Sequence, residues 1–231
     1  MFRLISASLL LLSSALLAQP VQPAQPEEES LLGRVDGNIY IAPSGAFRTS
    51  IPVLPELGGS IRDTENVVTF QDDFNKHISI AAFPQDSTQR WELSSRGTKD
   101  YLLYFFTNFV LADFKQAFEG VQIESAKYIE TMMNGSLITF TLMPGGTMFP
   151  DKMVPVGDKL PVAKRGNLLF LKNGYIFVIS TELAERIIEG RFYKKTAAEE
   201  DDLLRQRLND VVGRLQFPKP ATAAAPAPAV K

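Results

Sequence analysis

Leu168-Leu169-Phe170-Leu171-Lys172-Asn173-Gly174-Tyr175-Ile176-Phe177-Val178-Ile179-Ser180 reads as two apolar strands closed by a two-residue turn. Asn-Gly supplies the two positive φ values that a type I′ turn requires, and the twist of that turn suits paired strands. A second signal of the same kind lies upstream, where Val121 to Glu130 and Ser136 to Met143 are joined through Met132-Met133-Asn134-Gly135. Connections of hairpin length predict antiparallel pairing, so this part of the chain specifies an antiparallel sheet.

Working outward, Asn38 to Ile41 and the alternating Phe47, Thr49, Ile51 and Val53 predict a hairpin through Pro43-Ser44-Gly45, with Pro52 marking an edge. After a Pro/Gly stretch from Leu54 to Ser60, Val67 to Phe70 and Ile78 to Ala82 form a second pair across Asp72 to Lys76. Pro84 to Thr98 reads as a polar loop carrying the only tryptophan, Trp91. Tyr101 to Phe118 predicts a helix capped by Gly120, with Leu103, Phe106, Val110, Phe114 and Ala117 on one face. Its start, Tyr101 to Phe106, is apolar all round, which calls for cover on more than one side by the core or by a second copy in a homodimer. Toward the end, Thr181 is placed to cap a short helix over Glu182 to Ile188, and Thr196-Ala197-Ala198-Glu199 is a capping box opening another. Leu203, Leu204, Leu208, Val211, Val212 and Leu215 then recur at helical spacing.

The two ends are of different composition. Residues 1 to 18, MFRLISASLLLLSSALLA, carry one basic residue, Arg3, before an apolar run that ends at small Ala18. This pattern predicts a secretory signal peptide cleaved before Gln19, hence an exported, periplasmic or secreted protein. The alternative is an uncleaved N-terminal membrane anchor on a structural envelope protein, although the run falls short of the ~20 apolar residues that span a bilayer. Residues 19 to 30 are a Pro/Gln/Glu linker and 218 to 231 an Ala/Pro tail, neither apolar enough to offset the entropy of ordering. Residues 31 to 217 remain as a single α+β domain.

Composition narrows the chemistry. The 231 residues include no cysteine and one histidine, His77, and carry a formal charge of −2. Disulfides, Cys-ligated metals, thiol nucleophiles and a lipid-bearing N-terminal Cys are excluded by residue type, and a His-pair metal site by count. The charge argues against a nucleic-acid partner, which would meet a basic stripe. His77 has no nucleophile motif around it and is expected at the surface or as a cap. Asp72-Asp73-Phe74-Asn75 lacks the spacing of a calcium loop and reads as a solvated turn, and Glu199 to Asp202 as acids at a helix N-terminus. Asn134-Gly135-Ser136 fits a glycosylation sequon, though the turn accounts for the same residues. Neither Gly58-Gly59 nor Gly145-Gly146 sits in a phosphate-cradling frame, and no cofactor is expected. A hydrolase working through Ser, Lys and acids without His stays open, because carboxylate pairs are invisible until the fold joins them.

The long connection from Pro144 to Gly166 is the candidate partner surface, with Met148, Phe149 and Met153 exposed to adapt to a protein or small-molecule partner, joined by Trp91. Its alternative is that Met148 and Phe149 fold back onto the sheet.

With its opening hairpin Tyr40 to Phe47 running to Ile51-Pro52, its mid-chain helix, following meander and closing helix to Phe217, the chain resembles the PsbP/Mog1-like αβα sandwich proteins. The resemblance covers most of the core and rests on element order. It implies a mainly antiparallel sheet with helices packed on its faces. It also implies a non-enzymatic accessory or binding module, often exported or lipid-anchored in bacteria, and no shared catalytic constellation.

Overall fold

A computed structural model describes residues 31–153 and 160–219; the expected signal peptide and linker, six residues of the long connection and the tail from 220 onward lie outside the described residues. The strands are β1 (Arg34–Asp36), β2 (Ile39–Ile41), β3 (Arg48–Ser50), β4 (Ser60–Asp63), β5 (Val67–Gln71) and β6 (His77–Pro84). Helices α1 (Ser87–Arg96), α2 (Thr98–Phe105) and α3 (Leu111–Ala117) follow, then β7 (Gln122–Ile129), β8 (Ser136–Pro144), β9 (Val162–Lys172) and β10 (Tyr175–Glu182). The chain closes with α4 (Ala184–Ile188), α5 (Ala197–Arg214) and β11 (Leu215–Gln216).

Seven strands form one sheet in the order β4-β5-β6-β10-β9-β8-β7, and a small sheet has the order β1-β2-β3-β11. Every recorded pairing is antiparallel. Lys172 lies opposite Tyr175, and Asn173 and Gly174 take φ of 51° and 80°, which is the two-residue turn their sequence predicts. At the other hairpin Ile129 lies opposite Ser136, so Asn134-Gly135 belongs to a longer connection in which Met133 also has positive φ.

Alternation along the central strands divides the core in two. On one face Phe70, Ile80, Phe177, Ile179, Leu168 and Phe170 pack against Leu204, Leu208 and Val211 of α5 and against Tyr40 and Phe47 of the small sheet. Phe170 and Phe177 stack 5.1 Å apart, and Tyr40 meets Phe70 edge-on at 5.8 Å. Each such ring, fully buried, contributes about 1.5–3 kcal/mol. Asp63 fixes the small sheet by accepting from Tyr40 Oη and the Gly33 amide, both at 2.7 Å, and from the Leu32 amide at 2.9 Å. On the other face Ala81, Val178, Ile176, Leu169 and Leu137 pack against α2 and α3. The result is an αβα sandwich with the small sheet beside α5.

Several local expectations are corrected. The stretch read as a polar loop holds α1, because Asp86 and Gln89 form a capping box that starts a helix none of whose residues is buried. The Pro/Gly stretch contains a 3₁₀ turn at Pro55–Leu57 and then the edge strand β4, whose sequence SIRD is too polar to read as a strand. Thr181 and Glu182 stay in β10, paired with Gly166 and Arg165, so the short helix starts after Leu183 rather than after a Thr181 cap. Pro144 and residues 162–166 are also strand, which shortens the long connection to 145–161.

The mid-chain helix has an inward face different from the one its spacing predicts. Leu103 is 43% exposed and Ala117 is exposed, while Tyr101, Leu102, Phe105, Phe106 and Leu111 are buried. Between α2 and α3 the Leu111 amide bonds to Phe106 O, five residues back, in a π-helical turn over Phe106–Val110. One extra residue per turn shifts the apolar stripe by a position, and Asn108 Nδ2 donates at 2.8 Å to the Tyr104 carbonyl.

Candidate functional site

The large sheet is wider than its helical cover on the α1–α3 side. Six inter-strand spacings of ~4.8 Å span about 29 Å, whereas one helix with side chains is ~10 Å across. Helix α2 packs over β8, and on the far side of the sheet face a cleft of about 430 Å³ stays open between the π turn and strands β5, β6 and β10. That volume falls in the usual range for small-molecule sites.

The floor of the cleft is Val67, Ser79, Ala81 and Phe83 with Val178 and Ser180 from the neighbouring strand. Its wall comes from the helix: Phe105, Phe109, Val110 and Phe114, with Asp113 as the acid among them. The rings of Phe105 and Phe109 lie 4.9 Å apart and Phe83 meets Phe105 at 6.2 Å. Phe109 stays 44% exposed, because the π turn carries it away from the packed stripe and over the opening. Ser79 to Pro84 gives the cleft a length of about 17 Å along β6 at ~3.3 Å per residue.

Its polar end belongs to a row that crosses five strands. Thr69, Ser79, Ser180, Asn167 and Thr139 are successive register partners on β5, β6, β10, β9 and β8. Ser180 Oγ donates to Asn167 Oδ1 at 2.8 Å, and Asn167 Nδ2 donates to Thr139 Oγ1 at 3.3 Å and Thr141 Oγ1 at 3.4 Å. The hydroxyls of Thr69 and Ser79 pair at 3.0 Å. Buried polar groups joined this way avoid the cost of unmade hydrogen bonds and fix one geometry for the floor.

Two residues further along the strands lies a charged row: Glu182 opposite Arg165, Arg165 opposite Thr141, and His77 opposite Gln71. Arg165 Nε is 3.7 Å from Glu182 Oε2, Arg165 Nη2 donates to Gly146 O at 2.7 Å, and the guanidinium lies 5.3 Å from the centre of the Phe114 ring. Glu182 accepts from Thr147 Oγ1 at 2.5 Å and from the Met148 amide at 2.6 Å, so the ion pair straps residues 146–148 across the sheet. Burial pushes the Glu182 carboxyl up and the Arg165 guanidinium down, each against the pull of the other's charge.

The expectation of a surface histidine is corrected. His77 is partly buried with its ring edge-on to Phe149 at 6.3 Å, and its Nδ1 is buried without a hydrogen-bond partner. Burial, and then the positive charge of Arg165, push it down to about 4. Asp72, read as part of a solvated turn, is buried because its Oδ1 accepts from the amides of Phe74, Asn75 and Lys76 at 2.9–3.0 Å and closes the β5–β6 turn.

The four residues singled out from sequence separate. Phe149 takes the inward alternative and is buried against His77, Met148 is half-buried at the strap, and Met153 packs half-buried against the α2–α3 core. Trp91 stands 62% exposed on α1, beyond the opposite end of β6. The sequence does not group the row that floors the cleft, because Ser79, Ser180 and Asn167 are single polar positions in apolar strands and have no motif. A period-two reading of β6, β9 and β10 that marked inward polar positions would have found them.

On the opposite face Lys164 is fully buried, ion-paired with Glu124, with Asp201 at 2.6 Å and with Glu200 at 3.2 Å. Arg186 Nη1 reaches Glu200 Oε1 at 2.7 Å. The acids read as a helix N-terminal run therefore divide their roles: Glu199 completes the capping box with Thr196, while Glu200 and Asp201 hold Lys164. Burial alone would lower the Lys164 ammonium, and its bonds to Asp201, Glu124 and Glu200 outweigh that and raise it. Among the described residues no group of three or more His, Asp or Glu side chains is placed to hold a metal ion, and no helix is long and apolar enough to cross a membrane.

No family model matches the chain, and no curated protein does. Solved structures do. The solution structure of cyanobacterial PsbP (CyanoP) from Synechocystis sp. PCC 6803 is 15% identical with a TM-score of 0.46, over 81% of this chain and 99% of that one. The Saccharomyces cerevisiae Ran-binding protein Mog1p is 10% identical with a TM-score of 0.43, over 81% and 96%. A Bacteroides thetaiotaomicron VPI-5482 structure is 12% identical with a TM-score of 0.43, and the chain covers 50% of its length. The likeness, at TM-scores below 0.5, is to PsbP- and Mog1-type chains, the proteins the element order resembles.

Proposed function

We propose that this chain is a non-enzymatic binding module, exported to the periplasm or cell envelope, whose cleft between the π turn and β6 receives an apolar ligand. The observation that carries the reading is the open 430 Å³ cleft with rings on one wall and an ordered polar row in its floor. Large apolar surface left open beside converging polar groups is costly unless something uses it. Export rests on the apolar leader at residues 1–18. The accessory role is in keeping with His77, whose ring is turned edge-on to Phe149, and with the Ser79 hydroxyl, which pairs with Thr69.

Fluorescence titration with N-phenyl-1-naphthylamine, a neutral apolar probe, tests the cleft. One saturable site is expected on the native chain, weakened about tenfold or more by Phe109→Asp, which places a charge at the mouth without touching the core. Saturable binding unaffected by Phe109→Asp would remove the site from this cleft. Mass spectrometry of the mature protein should find Gln19 at its N-terminus; Met1 there would overturn export by cleavage.

A further inference from the structure

From the direction of the hydrogen bonds at the polar end of the cleft, we infer that its ligand is a cationic amphiphile, an aromatic or branched hydrocarbon body ending in a protonated amine. The inference rests on the cleft being the binding site proposed above. Ser180 spends its proton on Asn167 Oδ1, which leaves lone pairs of Ser180 Oγ facing the cleft. Asp113, one turn beyond the π segment, contributes a carboxylate that has no ion-pair partner among the described residues. Of the Ser79–Thr69 pair one hydroxyl must donate to the other, so the floor offers at most one donor there. The polar end thus offers mainly acceptors and one carboxylate, with at most one free hydroxyl donor.

The nearest cation does not reverse that sign. Arg165 is buried behind the Phe114 ring, its Nη2 is bonded to Gly146 O, and Glu182 lies against it. A carboxylate or phosphate head would meet Asp113 and the acceptor face of Ser180, with at most the one free hydroxyl of the Ser79–Thr69 pair to replace its water. An ammonium gains a charge-assisted bond to Asp113 and an acceptor at Ser180, and its hydrocarbon body lies along Phe105 and Phe109. Gln89, at the apolar end, spends its Oε1 on the Asp86 amide in the α1 capping box and so does not bind the amine.

Three probes with one body and different heads separate this inference from the site itself: 4-phenylbutylamine, 4-phenylbutan-1-ol and 4-phenylbutanoate, titrated into the full chain at pH 7 and followed by amide chemical shifts and calorimetry. The expected order is amine, alcohol, carboxylate, with about tenfold between the first and last. Asp113→Asn should bring the amine to the level of the alcohol. Raising salt should weaken the amine alone. If the carboxylate binds as tightly as the amine and shifts the same amides around Phe109, the head-group inference fails while the cleft stands. If none of the three shifts those amides, both the inference and the site fail.

Discussion

The two faces of the large sheet carry similar apolar strands but end in different states. On one, α5 and the small sheet lie side by side, so that Phe70 and Phe177 at the β5–β6–β10 end have Tyr40 and Phe47 over them. On the other, α2 and α3 cover the β8–β9 end and among the described residues no second helix lies over Ala81 and Val178, which floor an open cleft. The closed face tolerates charge only as a compensated cluster around Lys164. The open face instead has an uncharged polar row running from the cleft into the core and a strapped ion pair two residues further along the strands. A sheet this wide needs two covering elements side by side on each face, and among the described residues α2 and α3, running end to end, act as one.

Lys164→Met is the change that most sharply tests the closed face. It leaves Glu124 and Asp201 without their partner and Glu200 with Arg186 alone, and should cost about 3–5 kcal/mol in urea unfolding. A loss under ~1 kcal/mol would mean that the cluster is solvated and the face is not closed in the sense argued.

The charged row of the open face is tested by pH. His77 is pushed down to about 4 in the fold and recovers an ordinary value near 6.5 on unfolding. The stability it supplies is full above pH 6.5 and drains as pH falls toward 4, by about 3 kcal/mol. Glu182, pushed up by burial, works the other way: its burial costs stability as pH rises and is relieved as pH falls. The unfolding free energy of the wild type minus that of His77→Phe therefore isolates the histidine, and should fall by about 3 kcal/mol from pH 6.5 to 4. A difference independent of pH from 6.5 to 4 would show that His77 is solvated.

A third, smaller effect compares one methyl group on each face. A Cβ at Gly166 would lie 3.1 Å from Leu204 Cβ and 3.2 Å from Leu208 Cδ1, so Gly166→Ala should push α5 off β9 at a cost of about 1–3 kcal/mol. Ser79→Thr adds a methyl beside the cleft, keeps the hydroxyl, and should stay within ~0.5 kcal/mol. Equal costs in thermal unfolding would mean the cleft is packed in solution.

Much of the architecture was legible because it is local. The type I′ turn at Asn173-Gly174, the Thr196 to Glu199 capping box and the apolar runs of β6 and β10 are each written within a dozen residues, and each recurs in the fold. The site was legible only in outline. Phe149 and Met148 were found as residues of interest in a long connection, yet what draws them inward is Glu182, more than thirty positions away. The π turn likewise has no local signature in Phe106 to Val110, and it alone turns Phe109 to the opening rather than the core.

By itself the sequence determined the secondary-structure alphabet, the antiparallel pairing and the chemistries that no cysteine and one histidine exclude, since periodicity, turn type and residue inventory are properties of neighbouring residues. Tertiary structure alone decided which polar residues share a row, that Lys164 is ringed by acids from β7 and α5, and that one face stays partly uncovered. Those depend on strand order and on the width of a helix against that of a sheet, and no local pattern encodes either.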